Sequence, residues 1–260
     1  RLISSNCGKK LGQKPCYSHS QAYPNWNLSI TGAWMNKKLL AAFGTVILGA
    51  GLIAGIGTYV ASAKNDSRIL QATPAGTLDT AQGTLKHYTL DLSSYPDSMF
   101  AEGNKAHPDW VAYGPITNFE VPAHSAITIT VKNYDGGESL NNDFFGRVRG
   151  TIDGTATLNG EKITHVAPDH VGHTFTIHGM ADGQDQIFVS VPMMAVPEDE
   201  MPEEGYTSSP MVTTFTFITG DAGEYVWNCE YPCGDGTIAK FGNAMSTMGF
   251  MSGHFHVVNA

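Results

Sequence analysis

The chain is poor in cysteine, poor in basic residues and, over its first quarter, empty of acids. Four cysteines in 260 residues are too few for a small disulfide-stapled scaffold. Lys and Arg together number 15, and Arg1, Lys9, Lys10, Lys14, Lys37 and Lys38 all precede residue 64, a stretch with no Asp or Glu. Residues 64–260 therefore carry nine bases against all 24 acids, a net of −15. Such a surface lacks the basic footprint that a nucleic-acid partner requires. It suits an extracytoplasmic domain or one that meets basic partners such as small redox proteins. No Ser–His–Asp spacing, phosphate loop or HExxH is present, so a hydrolase has no positive support. Helical periodicity is scarce beyond residue 64, and there is no internal repeat.

What is present begins with one long apolar run. Leu39–Val60 is uncharged and long enough to span a bilayer as a helix. Lys37 and Lys38 before it and acids beyond it predict an N-inside, C-outside anchor. Ala61-Ser62-Ala63 resembles a small-residue cleavage site, so cleavage after Ala63 would release a secreted domain instead. Residues 1–34 are atypical. They are polar, they hold Cys7 and Cys16 without evident partners, and Met35-Asn36-Lys37-Lys38 reads as a natural start. We expect them to be disordered or non-native and leave them out of the fold reading. The organisation expected is thus 1–34 atypical, 35–63 anchor or signal, 64–83 linker, and 84–260 a single domain.

Within 84–260, short alternating segments recur between turn signals. Thr84–Leu92, Ile116–Val121, Ala126–Asn133, His173–His178, Gln186–Val191, Val212–Ile218, Glu224–Asn228 and His254–Val258 read as strands. Phe144–Leu158 reads as a Gly-punctuated hairpin insertion, closed by the Asn159-Gly160 turn. Val196–Tyr206 reads as an exposed acidic loop. The pattern argues for an all-β Greek-key β-sandwich.

The chemistry concentrates at the C-terminus. Cys229 and Cys233 lie in a Gly-rich loop between two strands, followed by Met245, Met248 and Met251 and then His254 and His256. Thiolate and thioether ligands with imidazole select copper over harder metals. Cys229 ends a strand and Met251 precedes the next, so both should sit at one end of a sheet. In an extracytoplasmic compartment the two thiols could instead form a disulfide. Met245 and Met248 are explained as well by packing, and surface exposure accounts for His254 and His256 as readily as ligation does. Trp227 shares the face of Cys229, and core packing explains it.

Four motifs carry a resemblance. FEVPAHSAITITVKNYD, HTFTIHG, GEYVWNCEYPCG and GFMSGHFHVV resemble, in turn, the early strand pair, the first-His strand, the Cys strand and the closing Met-x-Gly of the cupredoxin family. That family includes the blue copper proteins and the copper domain of cytochrome oxidase subunit II. The resemblance implies a copper-binding electron carrier or an oxidase-associated subunit more than an enzyme, meeting a redox partner such as a basic cytochrome or a membrane oxidase complex. It implies a metal set of His173, Cys229, Cys233 and Met251, with His254 and Met248 as further candidates. The chain departs from the family in one respect. No His lies from Glu230 to Gly253, where the second imidazole belongs, and the positions that a dinuclear site would fill with His and Met are Thr237 and Lys240. The alternative is a structural or copper-carrier module with Cys229 and Cys233 joined.

Overall fold

The computed structural model describes residues 44–56, 68–97, 107, 109–137, 140, 142–179, 187–234 and 242–259. The chain divides into two units, Arg1–Ala63 and Lys64–Ala260. In the first, residues 44–56 are helical and exposed. Residues 39–43 and 57–60 of the expected anchor, Ala63, and all of 1–34 lie outside the described residues. No helix among the described residues is long and apolar enough to cross a membrane.

The second unit is built of strands in two sheets. In chain order they are β1 (Leu70–Gln71), β2 (Thr73–Thr80), β3 (Gly83–Tyr95), β4 (Ala112–Gly114), β5 (Phe119–Pro122), β6 (Ala126–Asn133), β7 (Ala156–Leu158), β8 (Glu161–Ile163), β9 (Val171–Gly179), β10 (Phe188–Met194), β11 (Met211–Ile218), β12 (Gly223–Asn228) and β13 (Ser252–Val258). One sheet has the order β1-β5-β13-β12-β9-β10. The other has the order β2-β3-β6-β11-β7-β8, with β4 against β3. The all-β sandwich expected from the alternation is therefore present.

Alternation sets which side chains meet. In β6, Ile127, Ile129 and Val131 are buried while Thr128 and Thr130 face outward. Those threonines are not idle. Their hydroxyls bond to Thr216 and Thr214 of β11 at 2.8 and 3.2 Å, directly across the ladder. Between the sheets lies an aromatic core. Trp227 stacks on Phe175 with centroids 4.7 Å apart, Phe175 meets Phe215 at 5.8 Å, and Phe217 meets Phe255 at 6.0 Å. The Phe175–Phe215 and Phe217–Phe255 contacts join inner faces of opposite sheets, while Trp227 and Phe175 stack within one sheet, so the rings define the sandwich interior.

Two expectations differ from the structure. Residues 70–80, expected within the linker, pair with β5 and β3 as β1 and β2. β2 is exposed on nearly every residue, so it carries no apolar alternation to betray it. The Phe144–Leu158 insertion is a strand only at Ala156–Leu158; before that, Arg147 and Arg149 make single bridges to His165 and Ser190. The Asn159-Gly160 turn does close β7 onto β8, with φ of 50° and 88° at the two turn residues, as a two-residue hairpin requires.

Gly253 shows how tightly the site end is packed. It pairs with Trp227, whose Nε1 donates to the Thr117 carbonyl at 2.6 Å. A Cβ on Gly253 would fall 1.7 Å from that same carbonyl oxygen. We expect Gly253→Ala to cost about 1–3 kcal/mol by overpacking. Equilibrium denaturation would read this as a lower midpoint, and an unchanged midpoint would show that the Thr117 segment yields freely.

Candidate metal centre

The centre assembles where β12 ends. The ladder between β12 and β13 runs to Asn228 opposite Ser252, and one more bond, from the Cys229 amide to the Met251 carbonyl at 2.8 Å, extends it into the loop. Ala244 closes the far side. Its amide donates to the Cys233 carbonyl at 3.1 Å, and its own carbonyl accepts from the Met251 amide at 3.2 Å. Backbone bonds thus fix Cys229, Cys233 and Met251 relative to one another. β9 lies beside β12 in the same sheet, with Thr176 opposite Asn228. The Thr174 amide donates to Cys229 Sγ at 3.4 Å, and the Glu230 amide to Thr174 Oγ1 at 2.8 Å.

This framework brings three donors together. His173 Nδ1 lies 3.9 Å from Cys229 Sγ. The donor atoms of His173, Cys229 and Cys233 all fall within 4.8 Å of one another, and all three residues are buried. Both cysteines are free thiols. Metal–nitrogen and metal–sulfur bonds of about 2.0 and 2.3 Å set donor separations of about 3.5–3.8 Å in a tetrahedral site, so such a group would bridge an ion after a contraction of up to about one ångström. The expected proximity of His173 and Cys229 is therefore observed. Met251 is fully buried in the same hydrophobic core as Cys229 and Cys233.

The remaining candidates are elsewhere. His254 alternates with the inward Phe255 of β13 and is exposed on the outer face, its ring 5.6 Å from that of His256. Met248 is also exposed and accepts a hydrogen bond from Ser252 Oγ at 3.6 Å. Thr237 and Lys240 lie outside the described residues. The sequence reading missed Asp135. Its carboxylate accepts from His173 Nε2 at 2.7 Å. Its backbone is clamped, since Asn133 Nδ2 donates to the Asp135 carbonyl at 2.9 Å and to the Met194 carbonyl at 2.8 Å. Read in sequence, Asp135 belongs to a Tyr-Asp-Gly-Gly turn, which gives its carboxylate an ordinary local explanation.

Electrostatics follow from this geometry. Burial would depress the His173 imidazole, but the hydrogen bonds to Asp135 and Cys229 and their charges prevail, and it is pushed up to about 10. Burial opposes ionisation of Cys229 as well. There the Cys233 thiol, His173 and the Thr174 amide prevail and hold it well below the ordinary thiol value. Cys233 goes the other way, raised by burial and by the neighbouring thiolate. The metal-free centre is thus an imidazolium between a carboxylate and a thiolate, with one neutral thiol beside it. A metal ion held here would replace the protons on His173 Nδ1 and Cys233, so its affinity would rise with pH. The soft N/S donor set fits copper or zinc and disfavours oxygen-seeking ions. Asp135 on Nε2 leaves Nδ1 as the free donor, the arrangement in which an outer carboxylate orients a metal-binding imidazole.

No family model matches the chain, and no curated protein matches it.

Asp135→Asn keeps an oxygen acceptor and removes the charge. In the metal-free protein we expect the His173 titration, followed by NMR, to fall by more than about one pH unit from its value near 10. The folded imidazole titrates above the unfolded value of about 6.5. Its contribution to stability is therefore full below about pH 6.5 and lost as pH rises through about 10. The stability gap between wild type and variant should be widest in acid and close toward pH 10. A gap that widens with pH would contradict this assignment.

Proposed function

We propose that this chain is an extracytoplasmic copper-binding electron-transfer protein of cupredoxin type. The observation that carries the reading is the buried His173, Cys229 and Cys233 group at one end of a two-sheet sandwich. In this reading the sandwich is the Greek-key type implied by the four motifs. His173 Nδ1, Cys229 Sγ and Cys233 Sγ would hold the ion, with the Met251 thioether as a further weak ligand. Copper bound there would supply one-electron exchange.

The protein's own part is positional. Backbone bonds through Ala244 and Met251 fix the loop, and the Thr174 amide donates to the Cys229 sulfur. Burial excludes water from the donors. Asp135 fixes the ring and tautomer of His173. A rigid donor set that changes little between oxidation states lowers the barrier to electron exchange. The net charge of −15 over residues 64–260 suits a basic redox partner, such as a basic cytochrome or a membrane oxidase complex. Leu39–Val60 would anchor the domain to the membrane, or cleavage after Ala63 would release it.

A second reading is a structural or copper-carrier module with Cys229 joined to Cys233. The proximity of the two sulfurs favours it. Thiol titration separates the two readings, because two free thiols in the folded, metal-free protein exclude the joined form.

We expect the reconstituted full chain to bind copper and to show an intense thiolate-to-copper band. Cys229→Ser should abolish binding, since it removes the thiolate that the site already stabilises. Met251→Leu should keep copper and shift the reduction potential. A colourless, copper-free wild type after reconstitution would end the electron-transfer reading.

A further inference from the structure

The outer face of β12, β13 and β5 carries a pair of imidazoles that the buried centre does not use. β13 alternates, so Phe255 and Val257 point into the core while His254 and His256 share the outer face. Their rings are stacked, with centroids 5.6 Å apart and planes inclined at 23°. His254 is exposed, and its imidazole bonds to no side chain among the described residues. Its backbone is fixed all the same. His254 pairs with Val226 of β12, and its amide donates to Asn118 Oδ1 at 3.0 Å.

His256 sits between two carboxylates. In register it lies opposite Glu224 of β12 on one side and Glu120 of β5 on the other. Glu224 Oε2 lies 2.5 Å from His256 Nδ1. A carboxylate there requires Nδ1 to donate, which leaves Nε2 as the nitrogen open to a ligand. Glu120 is anchored in its turn, accepting from Gln71 Nε2 at 3.0 Å. A cross-strand ion pair accounts for Glu224 and His256. It does not account for the second imidazole, stacked beside the first and held by no partner of its own.

We propose that this face is a second metal site, separate from the buried centre, at which a nitrogen of His254 and Nε2 of His256 chelate a borderline divalent ion, copper(II) or zinc(II). Imidazole donors select these ions over calcium and magnesium, which take oxygen. Glu224 holds His256 in the tautomer and orientation that binding needs, as an outer carboxylate does for a metal-bound imidazole. Each nitrogen must come within about 2.0 Å of the ion, and so within about 3 Å of the other nitrogen. The exposed ring of His254 turns to close that gap, at the cost of side-chain rotamer freedom. The net of −15 over residues 64–260 draws cations to the surface. No thiol takes part, so the site fills whether Cys229 and Cys233 are reduced, joined or metal-loaded.

His254→Gln and His256→Gln each remove one imidazole. The full chain and both variants are titrated with zinc(II) by calorimetry, and with copper(II) followed by electron paramagnetic resonance and absorption. We expect each variant to bind one equivalent of zinc fewer than wild type. Each should also lose a copper(II) signal that shows nitrogen hyperfine coupling and no intense thiolate band. That difference of one equivalent is read whether or not the buried centre loads, so failure here and failure of the electron-transfer reading are separate results. In wild type the Cε1–H resonances of His254 and His256 should shift together as zinc is added. A variant that folds and keeps the wild-type zinc stoichiometry would overturn the proposal, as would a resonance of either ring that zinc leaves unmoved. His254→Gln alters only an exposed side chain, and it decides alone should His256→Gln fail to fold.

Discussion

The centre depends on mutual compensation among groups that none of them could balance alone. A buried imidazolium, thiolate or carboxylate each carries a desolvation penalty of several kcal/mol. Here Asp135, His173 and Cys229 alternate in sign, and each is held by a hydrogen bond to the next or by the chain beside it. Removing one leaves another uncompensated in a low-dielectric interior. This explains why the surrounding backbone is so fully bonded: the Asn133 clamp on Asp135, the Thr174 amide on Cys229 and the Ala244 bridge all restrain groups whose energy is steep in distance.

The fold makes that compensation possible by placing strand ends together. β9 and β12 are neighbours in one sheet, so His173 and Cys229 reach the same end. β6 belongs to the other sheet, and the turn after it delivers Asp135 across the gap. The centre is therefore stitched from both layers. A site drawn from one loop alone could shift with that loop. This one shifts only if the sheets slide past each other, which the interdigitated Phe175, Trp227 and Phe215 rings resist.

What the sequence made legible follows the same division. Local alternation identified β6 to the residue and β11, β12 and β13 to within two, because each has one buried face; β9, buried on both faces over most of its length, was placed to within two as well. End-of-strand geometry was enough to bring Cys229 and Met251 together, and the resemblance added His173. β1 and β2 were invisible because an exposed strand has no reason to alternate. Asp135 was missed for a different reason. It looks ordinary in its own segment, as a turn acid. Its importance comes from a long-range contact to His173, which no local pattern encodes. His254 misled for the converse reason: it is close to Met251 in sequence, but strand alternation turns it to the outer face.

The absent second imidazole then takes on a physical meaning. Two thiolates and one neutral imidazole would already balance the charge of a divalent ion held there, so a fourth donor would be needed for geometry more than for neutrality. A histidine in the loop would deliver that donor from the same short segment as the thiols. Here the loop backbone is already committed, with Cys233 and Met251 both bonded to Ala244. A further donor is then more readily supplied from across the sandwich, by side chains whose strands are fixed independently of the loop. The buried thioether of Met251 belongs to that committed loop, so it would arrive with the thiols rather than from the other sheet. A thioether stabilises the lower oxidation state of copper, so Met251 in the donor set would shift the centre toward that state.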